Sequence, residues 1–246
     1  MHNALRFEQS SRSDVGCVRA VNEDAYLSHW QGDIWAVADG MGGHARGRWA
    51  SAQIVAALEV MEFPADLEGA SDATIAAIHE ANQTILLAGQ AEDKVIGSTV
   101  TALIIRDQRF TVVWAGDSRV YRIRRNSLSR LTSDHTPVEE MVKAGLLTRQ
   151  EAGDHPMAHM LSRAVGVRQD LMLDQCSGEV LPGDVFILCS DGLTRVVPDH
   201  ELLTMVGQCA PNMAASALVE CALTHGAADN VTVVVVGCDE TTHVAA

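Results

Sequence analysis

The sequence predicts an α+β fold built on antiparallel sheets, and three observations lead there. Strand-like segments cluster with one another, as do helix-like segments, instead of alternating as βαβ units would. Between residues 98 and 123, three short apolar runs are separated only by brief polar turns. Finally, no internal repeat, low-complexity tract or linker interrupts the 246 residues, so a single domain over 1–246 with a sizeable core is expected.

Taken in order, residues 4–10 suit an edge strand, and the polar stretch from Gly16 to Asp24 leads into a strand at Ala25-Tyr26-Leu27. The run Ile34-Trp35-Ala36-Val37-Ala38 has strand length and composition and delivers Asp39 to a glycine-rich turn. Ala45 to Met61 follows as an amphipathic helix with Ala50, Ile54, Ala57, Leu58 and Met61 on one stripe. A second helix is expected from Asp72 to Ala91, capped by Ser71 or Asp72, with Ile75, Ile78, Ala81, Ile85 and Leu86 inward. The period then changes. Ser98–Ile105, Phe110–Ala115 and Arg119–Ile123 read as strands of a meander, turning at Asp107-Gln108 and at Gly116-Asp117-Ser118. Residues 131–168 are mixed, with short helices expected at Thr136–Ala144 and Thr148–Ala152; a flap over about 133–167 is expected within them. A second apolar strand, Val185–Cys189, ends in Ser190-Asp191-Gly192. Helices near Pro198–Gln208 and Asn212–Thr224 precede a last strand, Val231–Gly237.

The composition is that of a globular protein, 47% hydrophobic and 20% charged. No apolar run reaches the roughly 18 residues of a membrane span, and the N-terminal residues carry no signal-peptide core, so a cytoplasmic location is expected. The six cysteines show neither CxxC nor Cys/His ligand spacing, which favours reduced structural thiols and argues against a zinc site. A net charge of −14 argues against nucleic acid as a partner. It also opposes an anionic substrate, unless divalent ions held by carboxylates reverse the local sign; two or three ions would add about four to six positive charges.

Four aspartates share a local pattern. Asp39 and Asp191 each end an apolar strand and precede glycine, Asp117 follows Gly116 in a turn, and Asp229 stands just before a strand. Each has a plain structural alternative as a cap or turn residue. If they converge at one edge of the sheets, an all-oxygen donor set suits magnesium or manganese rather than zinc. Two such ions acidify a water and hold a phosphoryl group in line.

Seven motifs occur in order: Arg19-x-x-Asn22-Glu23-Asp24, Ala38-Asp39-Gly40-Met41-Gly42-Gly43-His44, Gly97-Ser98-Thr99, Ala115-Gly116-Asp117-Ser118-Arg119, Leu131-Thr132-x-Asp134-His135, Ser190-Asp191-Gly192-Leu193 and Asp229-Asn230-Val231-Thr232. Together they span nearly the whole chain, and the sequence resembles the metal-dependent Ser/Thr protein phosphatases of the PPM, or type 2C, family in their compact bacterial form. The resemblance implies a four-layer α-β-β-α sandwich of two antiparallel sheets. It implies that Asp39 bridges two manganese or magnesium ions, that Asp191 and Asp229 complete the first ion's shell, and that the Gly40 carbonyl and Glu23 serve the second. Asp117, with Asp191, would match a weaker third site. Asp24 would orient a metal-bound water, and Arg19 would grip the substrate phosphate. A hydroxide bridging the two ions would attack phosphoserine or phosphothreonine directly. Phosphorylated proteins, and a bacterial Ser/Thr kinase whose work is opposed, are the implied partners of an expected monomer.

Three positions depart from that pattern. Arg48 follows Gly47 where many relatives carry an acid, Ala158-His159 replaces a common Arg-Asn pair, and Met41 stands where some animal members have a histidine. The general acid is then open, with His44 or a metal-bound water as candidates. Two other functions compete with a protein phosphatase. One is a silent phosphoprotein-binding module, against which the intact Asp39, Asp191 and Asp229 speak; the other is a phosphatase for small metabolites. The cluster Arg119, Arg122, Arg124, Arg125 and Arg130 reads either as a docking surface for phosphoproteins or as a solvated hairpin face.

Overall fold

Two antiparallel sheets lie face to face in a computed structural model, which describes residues 5–29, 33–43, 45–153 and 155–240. Ala4 of the first expected strand and His44 fall outside the described residues. The first sheet has the order β1-β11-β10-β7-β8, formed by β1 (Leu5–Asp14), β11 (Val231–Glu240), β10 (Asp184–Cys189), β7 (Arg119–Arg124) and β8 (Ser127–Arg130). The second runs β2-β3-β5-β6-β9, from β2 (Asp24–His29), β3 (Ile34–Met41), β5 (Val100–Arg106), β6 (Arg109–Ala115) and β9 (Asp174–Glu179). The two-residue β4 (Gly97–Ser98) pairs with the end of β3.

Period-2 alternation sorts the side chains into layers. Along β3, Trp35 and Val37 point between the sheets and join Val234, Val236, Phe186 and Leu188 from the opposite sheet. Ile34, Ala36 and Ala38 point the other way, against α1 (Ala45–Val60) and α2 (Leu67–Glu92). The first sheet repeats the scheme. Ile187, Cys189, Val233 and Val235 face α6 (Asp199–Gln208) and α7 (Pro211–Thr224), while Phe186 and Leu188 face inward. Three apolar layers therefore separate four structural ones, as the sandwich requires.

Most expected elements are present, with informative differences. Helix α2 begins five residues earlier than expected, because Asp66 accepts a hydrogen bond from the Gly69 N–H at 2.7 Å and caps it. Ser71 lies inside the helix and bonds back to the Leu67 carbonyl. The β5–β6 hairpin is real, pairing Arg106 with Arg109 across Asp107-Gln108. The next turn is not a hairpin. After Gly116-Asp117-Ser118 the chain leaves the second sheet, and β7 pairs with β10 in the first. The expected meander is thus corrected to a crossing between sheets. Gly116 sits at φ 112° against Thr99, where a Cβ would lie 2.6 Å from the Thr99 side chain, so the crossing requires glycine. Strands β8 and β9 were not expected; both are polar and lie at sheet edges.

The flap carries α3 (Pro137–Lys143), capped by Thr136, and α4 (Arg149–Gly153). Its base is fixed by a two-way backbone bridge between Ser98 and Val165, at 3.0 and 2.9 Å.

Candidate active site

The sandwich brings five buried or half-buried aspartates to one edge. Asp24 and Asp39 are direct partners across β2–β3, so their side chains share a face. On β3 that face is the one bearing Trp35 and Val37, which places Asp39 at the rim of the gap between the sheets. From the other sheet, the Ser190 hydroxyl donates to Asp24 Oδ2 at 2.8 Å and itself accepts the Thr232 N–H at 2.9 Å. Asp191 opens the short helix α5 (Asp191–Thr194) just beyond β10, and Asp229 stands just before β11.

The surrounding motifs hold these carboxylates by their backbones. The Asp39 N–H donates to Thr99 Oγ1 at 3.0 Å, while its carbonyl accepts from Thr99 N–H at 2.8 Å and from the Ser98 hydroxyl at 2.9 Å. Thr99 Oγ1 also lies 2.7 Å from Ser118 Oγ, tying β5 to the turn that carries Asp117. His135 fixes that turn from the flap side. Its N–H donates to the Gly116 carbonyl, its Nδ1 accepts from the Gly116 N–H at 3.1 Å, and its ring stacks on Trp114. Asn230 secures the loop of Arg19 and Glu23: its amide donates to the Val15 and Val21 carbonyls at 2.9 and 3.0 Å, and its Oδ1 accepts from the Glu23 N–H at 2.8 Å.

The electrostatics are those of like charges forced together. Burial, then the neighbouring Asp24, Asp191, Asp117 and Asp229, push the Asp39 carboxyl well above the usual carboxylate range. Burial raises Asp24 to about 7, against the opposing hydrogen bonds from Thr232 and Ser190. Asp117 rises to about 7 through burial and the nearby Asp191 and Asp134. Burial also raises Asp191, which Arg195 partly offsets.

Arg195 is the residue sequence reasoning missed. It follows α5 and contacts Asp191 Oδ2 through Nη2, with Nη1 3.3 Å from Asp229 Oδ2. Arg19 reaches the same Asp229 oxygen at 2.9 Å, and that hydrogen bond holds its guanidinium more firmly charged. More than half of the Arg19 side chain is exposed.

Do these residues fit divalent cations? The donor set is all oxygen. Asp191 Oδ1 and Asp24 Oδ1 are buried and find no hydrogen-bond partner among the described residues. Gly47 adds a second sign, because it lacks a side chain where Glu23 Oε1 and the Gly40 carbonyl come together. A Cβ there would lie 2.8 Å from the Gly40 oxygen and closer still to Glu23 Oε1. Crowded, buried oxygens with room kept between them fit hard cations.

Arg19, Asp39, Asp117, Asp191 and Asp229, with Glu23 and Gly40, line one cleft of about 1010 Å³, walled on the far side by His159 and Arg163 of the flap region. Asp24 lies behind this lining. Of the arginine cluster, three members are engaged internally. Arg119 holds Asp134 bidentately, Arg124 holds Asp184 at 2.7 and 2.6 Å, and Arg130 holds Glu139 at 2.9 Å. Among the described residues no helix is long and apolar enough to cross a membrane.

Residues 18–225 match the family model described as Protein phosphatase 2C. The chain is 37% identical over 238 residues to the serine/threonine protein phosphatase PstP of Mycobacterium tuberculosis, covering 94% of this chain but only 45% of that protein. In structure it is similar to PppA of Pseudomonas aeruginosa, with TM-score 0.88, 37% identity and coverage of 94% and 97% of the two chains. The catalytic domain of PstP in complex with two manganese ions is similar too, with TM-score 0.86, 35% identity and coverage of 96% and 100%.

Proposed function

The chain belongs to the protein phosphatase 2C family, and from that premise we propose that it hydrolyses phosphoserine and phosphothreonine esters of proteins, with manganese or magnesium as cofactor. One observation carries the proposal: carboxylates from both sheets converge on a cleft that also holds a half-exposed arginine. Asp39, Asp191 and Asp229 would hold a first ion, and Asp39 with the Gly40 carbonyl and Glu23 a second; Asp117 with Asp191 offers a weaker third place. Ions held by these residues would acidify a water into a nucleophile and neutralise charge on the phosphoryl oxygens.

The chain's own groups do the rest. Arg19 keeps one nitrogen on Asp229, which leaves further N–H groups for two phosphate oxygens. Asp24, held through Oδ2 by Ser190 with its Oδ1 unpartnered among the described residues, is suited to orient a water. His44 is a candidate for protonating the departing serine or threonine oxygen. The partners would be phosphoproteins and a kinase whose work this enzyme, a cytoplasmic monomer on the present reading, reverses.

Phosphate release from a phosphothreonine protein, a phosphothreonine peptide and a small aryl phosphate tests this. Manganese-dependent release, abolished by chelator and by Asp39→Asn and fastest on the protein, is expected. A folded chain inactive in every metal would promote the silent binding module. Equal or faster turnover of the small ester would favour a metabolite phosphatase.

A further inference from the structure

On the outer, helical side of the first sheet, α6 and α7 meet at three side chains of metal-binding type. Glu201 lies in the first turn of α6, Cys221 in the last turn of α7, and His225 caps α7 one turn later. Their donor atoms all lie within 4.8 Å of one another. Cys221 Sγ is 3.7 Å from Glu201 Oε2, and His225 Nε2 is 3.8 Å from the same oxygen. The nitrogen–oxygen separation is too long for a good direct hydrogen bond. Both separations are a few tenths of an ångström above the edge of a zinc tetrahedron, where ligands at about 2.0–2.3 Å from the ion sit about 3.3–3.5 Å apart.

A second observation concerns the histidine. His225 Nδ1 lies 3.0 Å from the Val196 carbonyl. A carbonyl only accepts, so Nδ1 carries a hydrogen, and it is the neutral form of the ring that turns an Nε2 lone pair toward Glu201. That outward bond to a backbone oxygen is the arrangement that orients metal-ligating histidines. The donor set of sulfur, nitrogen and oxygen is unlike the all-oxygen cleft and selects a softer ion than magnesium or manganese.

We propose that Glu201, Cys221 and His225 form a second metal site, which takes zinc and leaves a fourth position to water. More than a third of the His225 and Glu201 side chains is exposed, which gives the ion and that water access. On binding, the sulfur–zinc bond forms as the thiol loses its proton to solvent; nothing is oxidised or reduced. The site joins two segments that reach the cleft, because Val196 follows Arg195 and His225 begins the loop to Asp229.

The experiment uses the full chain, with cobalt as a spectroscopic stand-in for zinc. Cobalt added to metal-stripped protein should give a near-ultraviolet thiolate-to-cobalt charge-transfer band, which zinc then displaces. Oxygen ligands give no such band, so Asp39→Asn should retain it. Cys221→Ser should abolish the band, and His225→Gln should weaken cobalt and zinc binding more than about tenfold. In saturating manganese, zinc should raise the melting temperature of the parent and not of either variant. Absence of the band in the folded parent would overturn the proposal, as would a band that survives Cys221→Ser. Should Cys221→Ser fail to fold, unchanged zinc affinity in His225→Gln would overturn it equally.

Discussion

The β7–β8 hairpin and the cleft both bury charge, but they treat it in opposite ways. At the hairpin every buried acid is met by base: Asp134 by Arg119 and Arg130, Asp184 by Arg124, and Glu139 by Arg130 and Arg149. Asp184 is fully buried and also accepts the Leu181 N–H at 2.8 Å. At the cleft, Asp24, Asp39, Asp117 and Asp191 each raise or share the electrostatic cost of the others, and the Arg195 contact offsets only part of it. Paired buried charges hold a fold in register, whereas unpaired like charges weaken it and persist where a ligand needs them. Within the arginine cluster, Arg119, Arg124 and Arg130 are internal ties and the Arg122 Nε is buried, so Arg125 is the member with an exposed side chain.

Substitutions at the two ends should therefore differ in sign. Asp39→Asn should lower manganese-supported turnover by about a thousandfold, the scale of a principal charge-stabilising group. Its metal-free form should nevertheless melt higher than the parent's, because a repelled charge is gone. If it melts lower, the account of the cleft is broken. Arg124→Met strands Asp184 and should cost about 3 kcal/mol in urea unfolding, with turnover unchanged.

Asp117→Asn sharpens the same contrast through pH. In the parent the folded-state pKa of about 7 lies above the unfolded value near 3.8. The folded state then binds more protons between those values, so stability falls as pH rises through that window. The variant lacks this loss. Its advantage over the metal-free parent, read from melting curves, should grow from about pH 4 to 7 and then stay level. The smallest effect belongs to the hairpin turn, where Arg125 and Asn126 both have positive φ. Arg125→Gly should stabilise the protein by about 0.5 kcal/mol in the same urea measurement, since only glycine occupies that region without strain.

Much of this was legible in the chain. Asp39 and Asp191 announce themselves by ending apolar strands before glycine, and the order of the motifs carries Arg19, Glu23, Asp117 and Asp229 with them. What stayed hidden depends on distant pairing. The turn at Gly116-Asp117-Ser118 looks locally like a hairpin, but the competition between β6 and β10 for β7 settles where the chain goes, and no local residue records it. Strand β9 is too polar to show the usual alternation and is recruited by β6. Arg195 follows a helix of one turn, so nothing in the sequence marks it as facing Asp191. Asn230 and His135 stood inside recognised motifs, yet their roles as clamps emerge only once the loops they bond are placed.

The central claim, that aspartates from both sheets form one cation centre, is tested most directly by anomalous diffraction from crystals grown with manganese. The account predicts two strong peaks in the cleft, both in contact with Asp39, one also touching Asp191 and Asp229 and the other the Gly40 carbonyl. Well-ordered crystals with no manganese peak beside Asp39 would contradict it.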